Sequence, residues 1–367
     1  MAVSELNRRR WRNFRRNGRA FWSLVIFAVL FVIAMFAEIV ANDKPIMVNY
    51  RGDYYFPAYK FYPETTFGGD FGTEAIYRDP EVQCLIVSGG RDECWDAPDD
   101  FMAAVRSGST DVAAADRGWM IWPVIPYHYR TINNVGTAPS APDARHWLGT
   151  DDTARDVSAR VIYGFRTSIL FTLIVTVVAS TIGITAGAVQ GYFGGRTDLV
   201  FQRVLEIWAS TPGLYVIIIL FAILGRSFWL LVFVTILFGW PALVGVVRAE
   251  FLRARNFEYV RAARALGVSD RKIMFRHILP NAMVATLTML PFVVTGTISG
   301  LAALDYLGYG LPAGSASLGE MALQAKQNLQ APWLAFTAFF TFAIMLSLLV
   351  FIFEGIRDAF DPRKTFK

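Results

Sequence analysis

The sequence predicts an all-α polytopic membrane protein of six transmembrane helices, with an insertion of mixed structure between the first two spans. Three observations carry that prediction. Apolar runs of about twenty residues, the length that crosses a hydrocarbon core, recur along the chain. At 54% hydrophobic and 15% aromatic residues, the composition is too apolar for an ordinary soluble domain. The net charge of +5 also hides a partition: residues 42–165 carry 18 acids and 11 bases, and the remainder 12 acids and 24 bases. Basic residues collect where short loops face the cytoplasm, so the positive balance points to membrane orientation and not to nucleic acid.

The chain opens on an arginine-rich arm over residues 1–20, with Arg8, Arg9, Arg10, Arg12, Arg15, Arg16 and Arg19. The arm is expected in the cytoplasm, aided by anionic lipid headgroups. The first span follows at 21–41. Its apolar core exceeds the 7–15 residues of a cleaved secretory signal, which argues for an uncleaved helix.

Residues 42–165 are acidic, proline-punctuated and rich in Tyr and Trp, and cannot span a bilayer. With the arm inside, this segment is expected outside, in the periplasm. Short strands and turns are expected at Asp53–Pro57, Phe67–Asp70 and Gly118–Pro123. The two sides of Cys84–Cys94 could pair as a hairpin closed by Ser88-Gly89-Gly90. In an oxidising compartment that register suits a disulfide between Cys84 and Cys94, the only cysteines. Its aromatic clusters fit either rings resting at the headgroup level or a platform for an extracytoplasmic partner. Neither the cysteines nor His128, His146 and His277 assemble a metal-ligand set. At the end of the insertion Thr150 can cap a helix, and Val157, Val161 and Phe165 recur every fourth residue, as in a helix lying along the membrane surface.

Five further spans are expected at 167–189, 204–224, 228–247, 282–304 and 333–353, within a transmembrane domain of 166–356. Pro212-Gly213 and Gly239-Trp240-Pro241 interrupt two of them. Gly191–Asp198 has the glycines of a phosphate cradle but no Gly-Lys-Ser/Thr, so it is a tight turn and not a Walker loop. Gly308-x-Gly310 lacks the spacing of a dinucleotide fingerprint. Six spans return the tail 357–367, with Arg357, Arg363, Lys364 and Lys367, to the cytoplasm.

The most informative stretch is the cytoplasmic loop 249–281. Helix formers fill Glu258–Leu266, and Gly267 suits a left-handed stop. Ser269 can cap a second helix running to Leu279, where Pro280 and Asn281 end it. The outcome is an L of two short helices whose apolar residues are Phe257, Val260, Ala263, Leu266, Ile273 and Ile278.

This block resembles the coupling loop of ABC-importer permeases, with a pattern of Glu-Ala-Ala, three residues, Gly, and a closing Leu-Pro. Ala262, Ala263, Gly267, Leu279 and Pro280 match it, while Arg261 replaces the glutamate and His277 a usual isoleucine. The entry run Leu148-Gly149-Thr150-Asp151-Asp152 and the loop Leu307-Gly308-Tyr309-Gly310 resemble elements of the oligopeptide and dipeptide permeases in the same order. Phe67–Glu74, Gly118–Pro123 and Asn328–Trp333 are similar to the Yej-type peptide permeases, in their E-subunit form. The resemblance covers roughly residues 145–362 for the wider family.

The resemblance implies a permease subunit of an ATP-driven importer in the bacterial inner membrane, with both termini cytoplasmic. Its substrates would be peptides, including peptide-nucleotide antibiotics of the microcin C class. It implies a second, unlike permease subunit, a cytoplasmic ATPase that binds the ATP, and a periplasmic binding protein. The chain itself would be no enzyme and hold no cofactor. Glu258, Arg261, Ala262, Ala263, Gly267, His277, Leu279 and Pro280 would face the ATPase. Asp305 and Glu320, flanking the glycine loop near the outer mouth, are candidates for the translocation path, where an exposed carboxylate attracts a cationic peptide terminus. Two other classes stand beside this reading. A membrane-anchored outer enzyme would need a nucleophile–base pair in 42–165, and none is visible. An ATP-independent carrier would need charges inside its spans, whereas Glu38, Arg203, Glu206, Asp305, Glu320 and Glu354 sit near span ends.

Overall fold

The computed structural model describes residues 5–113 and 115–360. The start of the basic arm and the tail beyond Phe360, with Arg363, Lys364 and Lys367, lie outside them. Two compact units emerge: one takes Gly164–Gln327 with Met1–Phe31 and Ala335–Lys367, the other Val32–Tyr163 with Asn328–Leu334.

Among the described residues, five stretches are long and apolar enough to cross a membrane. They are α2 (Gly18–Met35), α6 (Val157–Phe193), Phe228–Ala254, Asp270–Tyr306 and α15 (Pro332–Phe360). The expected third span is instead a pair, α7 (Gly195–Ser210) and α8 (Gly213–Leu224), bent by 68°. Pro212 causes the bend: it pushes Thr211 into extended backbone and offers no N–H to continue the helix. Counted as one crossing, the pair makes six. Gly194, at φ +61°, makes the expected tight turn between α6 and α7.

Most spans overrun their expected bounds, because polar residues at helix ends extend the backbone pattern beyond the apolar run. The first does not. It stops at Met35, and a short α3 (Ala37–Val40) follows. The stretch 228–254 combines α9 (Phe228–Gly239), a 3₁₀ turn at Trp240–Leu243 and α10 (Val244–Ala254). The arginine arm is itself a helix, α1 (Glu5–Arg16), and its Phe14 packs with Ala20 and Ala359. The two ends of this unit therefore meet. Between α6 and α10 the backbones nearly touch: a Cβ on Gly187 would lie 2.7 Å from Val244 O, and one on Gly191 2.5 Å from Arg248 O. Such four-residue spacing of glycine lets two helices close without a side chain between them.

The second unit holds a three-stranded antiparallel sheet in the order β2-β1-β3, from Met47–Tyr50 (β1), Asp53–Tyr55 (β2) and Trp119–Ile121 (β3). Arg51 and Gly52, both at positive φ, close the β1–β2 hairpin. The expected strands at 53–57 and 118–123 are thus present. The expected hairpin across the cysteines is not. Cys84 lies on α4 (Pro80–Ser88) and Cys94 in a 3₁₀ turn ahead of α5 (Pro98–Ser107). Proline at the first turn of each helix, and Gly89 in the left-handed position after α4, favour helix over strand here. The disulfide Cys84–Cys94 forms nonetheless, with Cα atoms 5.5 Å apart, inside a core with Leu85, Met102 and Val105.

Thr150 does not cap a helix; its hydroxyl accepts from Ser140 N at 2.9 Å. Asp156 takes that role, its Oδ1 accepting from Ala159 N at 2.8 Å while Oδ2 holds His146 Nδ1 at 2.8 Å. The run with Val157, Val161 and Phe165 is the start of α6, not a separate surface helix. Just ahead of it Asp151, fully buried, accepts from Arg155 Nε at 2.8 Å and lies 3.3 Å from Arg160 Nη1.

Candidate coupling surface

Helix α11 (Glu258–Ala265) begins after extended Phe257, with Glu258 placed favourably at the positive end of the helix dipole. Its end is a double closure: Val268 N donates to Ala263 O at 3.0 Å and Gly267 N to Arg264 O at 2.9 Å. Gly267 sits at φ +73°, as this Schellman arrangement requires. Open space surrounds the position where its Cβ would be. The glycine is needed for its backbone conformation alone.

The second arm of the L departs from expectation. Ser269 stands before it in extended backbone but makes no side-chain cap. The helix does not end at Pro280. It runs from α12 (Asp270–Lys272) through a π-helical turn at Ile273–Ile278 into α13 (Leu279–Tyr306), one stretch of 37 residues. Proline removes one backbone donor and its ring crowds the carbonyl four residues back; the wider π turn relieves both.

Burial divides the block into a root and a face. Val260, Ala263, Ile273, Met274 and Ile278 pack with Val247, Phe251 and Ala254 of α10 and with Ala188 and Tyr192 of α6. Tyr192 adds polar ties: its hydroxyl donates to Asp270 Oδ1 at 2.5 Å and accepts from Arg264 Nε at 3.2 Å. The Arg264 guanidinium also lies 4.8 Å from the ring centroid. Beside it, Arg248 grips Asp198 through Nε and Nη2 at 2.5 and 2.6 Å. Glu258, Arg261, Ala262, Gly267 and Pro280 are exposed, whereas His277 and Leu279 are half-buried and Ala263 is buried. Of the apolar residues named in the L, Leu266 is 83% exposed and Phe257 44% exposed. A firmly rooted helix therefore presents a bare leucine, an aromatic residue and the exposed Arg261.

Asp305 and Glu320 are far from this block, near the other end of α13, which is about 42 Å long at 1.5 Å per residue. Asp305 is not the exposed carboxylate expected. It is 8% exposed, accepts from Leu311 N at 2.7 Å and from Ser317 Oγ at 2.5 Å, and so ties down the glycine loop. Glu320 is half-buried on α14 (Leu318–Gln327). A cleft of about 590 Å³ opens between α8, α9 and α13, lined by Gly213, Ile217, Phe238, Gly296, Gly300 and Leu304 among others, with no charged side chain on its walls. Neither carboxylate lines it.

Sequence reasoning passed over the Tyr192–Asp270–Arg264 tie and the glycine contacts beneath it. The tie joins residues 78 apart, beyond any local pattern. The glycines were legible as Gly183-x3-Gly187-x3-Gly191.

Residues 179–366 match the family described as binding-protein-dependent transport system inner membrane component. Residues 6–58 match the N-terminal TM domain of oligopeptide transport permease C. The chain is 50% identical to the peptidoglycan transport system permease protein YejE of Agrobacterium fabrum, over 99% of this chain and 95% of the relative. It is 49% identical to the inner membrane ABC transporter permease protein YejE of Escherichia coli, over 99% and 98%. With the oligopeptide transport system permease protein OppC of Bacillus subtilis it shares 36% identity, over 65% of this chain and 78% of that one.

Proposed function

Since this chain belongs to the binding-protein-dependent inner membrane components, as a multi-pass permease subunit of the peptide-transporting ABC importers, we propose that it forms half of a peptide path and is driven through α11 by a cytoplasmic ATPase. The other half comes from a second, unlike permease subunit, and a periplasmic binding protein delivers the substrate. ATP is bound by the ATPase alone.

The observation that carries this reading is the contrast within the coupling block. Val260 is fully buried at its root, while Leu266 is 83% exposed at its tip, one residue before the left-handed turn. Exposed beside Phe257 and Tyr259 on a rigid, cation-flanked corner, Leu266 is well placed to fill a pocket on a partner. The root then passes a displacement on to α6, α10 and α13, which all share its core.

Substrates are peptides, free or carried on a cell-wall fragment, in keeping with the names of two similar relatives, and extend to peptide-nucleotide antibiotics. The cleft between α8, α9 and α13, uncharged and glycine-walled, is the stretch of path this subunit contributes. Walls without fixed charge accept peptides of differing side chains, which leaves selection to the binding protein.

Gly267→Val tests the coupling. With open space around the Cβ, the penalty is confined to backbone strain of about 1–2 kcal/mol, enough to misdirect Leu266 but not to unfold six packed spans. The variant should insert at the normal level, lose peptide uptake and co-purify less ATPase. Gly267→Asn should be milder, because asparagine tolerates left-handed backbone. Wild-type uptake by the valine variant would reduce the block to an ordinary loop.

A further inference from the structure

The N-terminal helix and the end of the last span enclose a feature that transport does not use. An apolar groove of about 310 Å³ is lined by Trp11, Phe14, Leu24, Ile352, Ile356 and Phe360, with Arg10 at its edge. The floor is tightly made: a Cβ on Gly355 would come within 2.9 Å of the Phe14 ring. Trp11, stacked on Phe14 with centroids 5.7 Å apart, is 50% exposed. The Arg10 guanidinium lies 4.1 Å from the centroid of the Phe360 ring. Arg10 is the arginine that lines the groove; Arg8, Arg9, Arg12, Arg15 and Arg16 along α1, and Arg19 just after it, are all exposed. From residue 1 to residue 19 seven arginines face one acid, Glu5.

Position settles which occupant fits. α1 leads through Asn17 directly into the first span, so the groove opens where the hydrocarbon of the bilayer gives way to headgroups. A basic amphipathic helix at that level lies in the interface, with cations toward phosphate and aromatic residues toward acyl chain. A protein segment docking here would need acids to answer the arginines. An anionic phospholipid supplies both parts at once: an acyl chain for the groove, and a phosphate for the arginines.

We infer that α1 and the end of α15 form a binding site for one anionic phospholipid, its chain lying between Trp11, Leu24 and Ile356 and its headgroup held by the arginines of α1. The inference is independent of the transport reading, and its test reads lipid alone.

The full-length chain, purified and exchanged into micelles with equal amounts of phosphatidylglycerol and phosphatidylcholine, is examined by native mass spectrometry. Wild type should retain phosphatidylglycerol in clear preference. Replacing Arg8, Arg9 and Arg12 together by Gln should lower that retention about tenfold or more, since each cation near an anionic surface contributes separately. Trp11→Glu, which leaves all seven arginines in place, should lower it as well. Replacing Arg253, Arg271 and Arg276 by Gln removes the same charge elsewhere and should change nothing. Equal retention of the two lipids, or an unchanged triple Arg8/Arg9/Arg12 variant, overturns the inference. So does a lipid held by the chain alone but absent from its complex with the partner subunits, because protein would then fill the groove.

Discussion

His128 sits edge-on to Tyr163, with ring centroids 5.2 Å apart, and its Nδ1 accepts from Arg130 N at 3.3 Å. Only a ring unprotonated at Nδ1 can accept that bond. Burial pushes its pKa below the usual value, against the opposing pull of Asp43. The unfolded chain therefore takes up the proton first as pH falls, and stability is lost below about pH 6.5, the unperturbed histidine value. Hydrogen-exchange rates across residues 120–132, each divided by the intrinsic amide rate at its pH, should be higher at about pH 5.5 than at about pH 7.5 in the wild type, and nearly equal in His128→Gln. Equal rates in the wild type would contradict the assignment. Gly267 illustrates the opposite case, a residue legible from sequence alone, because a helix stop depends on local backbone and neighbours in the chain. Asp305 was not legible. Whether a carboxylate at a span end is solvated or ties a loop depends on Leu311 and Ser317 folding back over it, and no spacing rule encodes that.

At the scale of elements, the cysteine segment shows how a right bond can come from a wrong element. Ser-Gly-Gly between two cysteines satisfies a hairpin pattern, yet Pro80 and Pro98 set helix starts on either side. A helix followed by a 3₁₀ turn brings the two Cα atoms as close as a hairpin would. Closing the eleven-residue loop contributes about 2–3 kcal/mol in the chain-entropy picture. Replacing both cysteines by Ser should leave the spans intact but make α4 and α5 susceptible to limited proteolysis; unchanged resistance would show that their packing suffices. The contact of α6 with α10 makes a second prediction. Gly191→Ala puts a Cβ 2.5 Å from Arg248 O and 2.7 Å from Phe251 Cβ, so the helices must part at a cost of about 1–3 kcal/mol. Gly245→Ala on α10 meets nothing within 4 Å. The first variant should lower the melting temperature of the purified protein and the second should not. The spans themselves were readable because twenty apolar residues admit few alternatives. Their ends and the bend at Pro212 were less so, since proline in a span can be bridged, as at Pro280, or can break it, as here.

For the whole molecule, the meeting of α1 with the end of α15 and the bent pair counted as one crossing agree on an even number of spans. Single cysteines at Arg19 and Ser269 should then react with impermeant reagents only from the cytoplasmic side, and one at Ala313 only from outside. The native cysteines are bonded to each other and give no background. Labelling of Ser269→Cys and Ala313→Cys from one side would break the six-span topology. The continuous helix from Asp270 to Tyr306 carries a mechanical consequence. One end is fixed to the coupling corner, the other to the loop tied by Asp305, and the π turn lies near the first end, with Pro291 further along. A rod of this kind multiplies movement. A tilt of about 5° at the π turn swings the far end, some 42 Å away, by about 4 Å, more than the width of a carbon atom, so a small rotation at one end of the rod reaches the other as a displacement wide enough to open or shut a gap between helices.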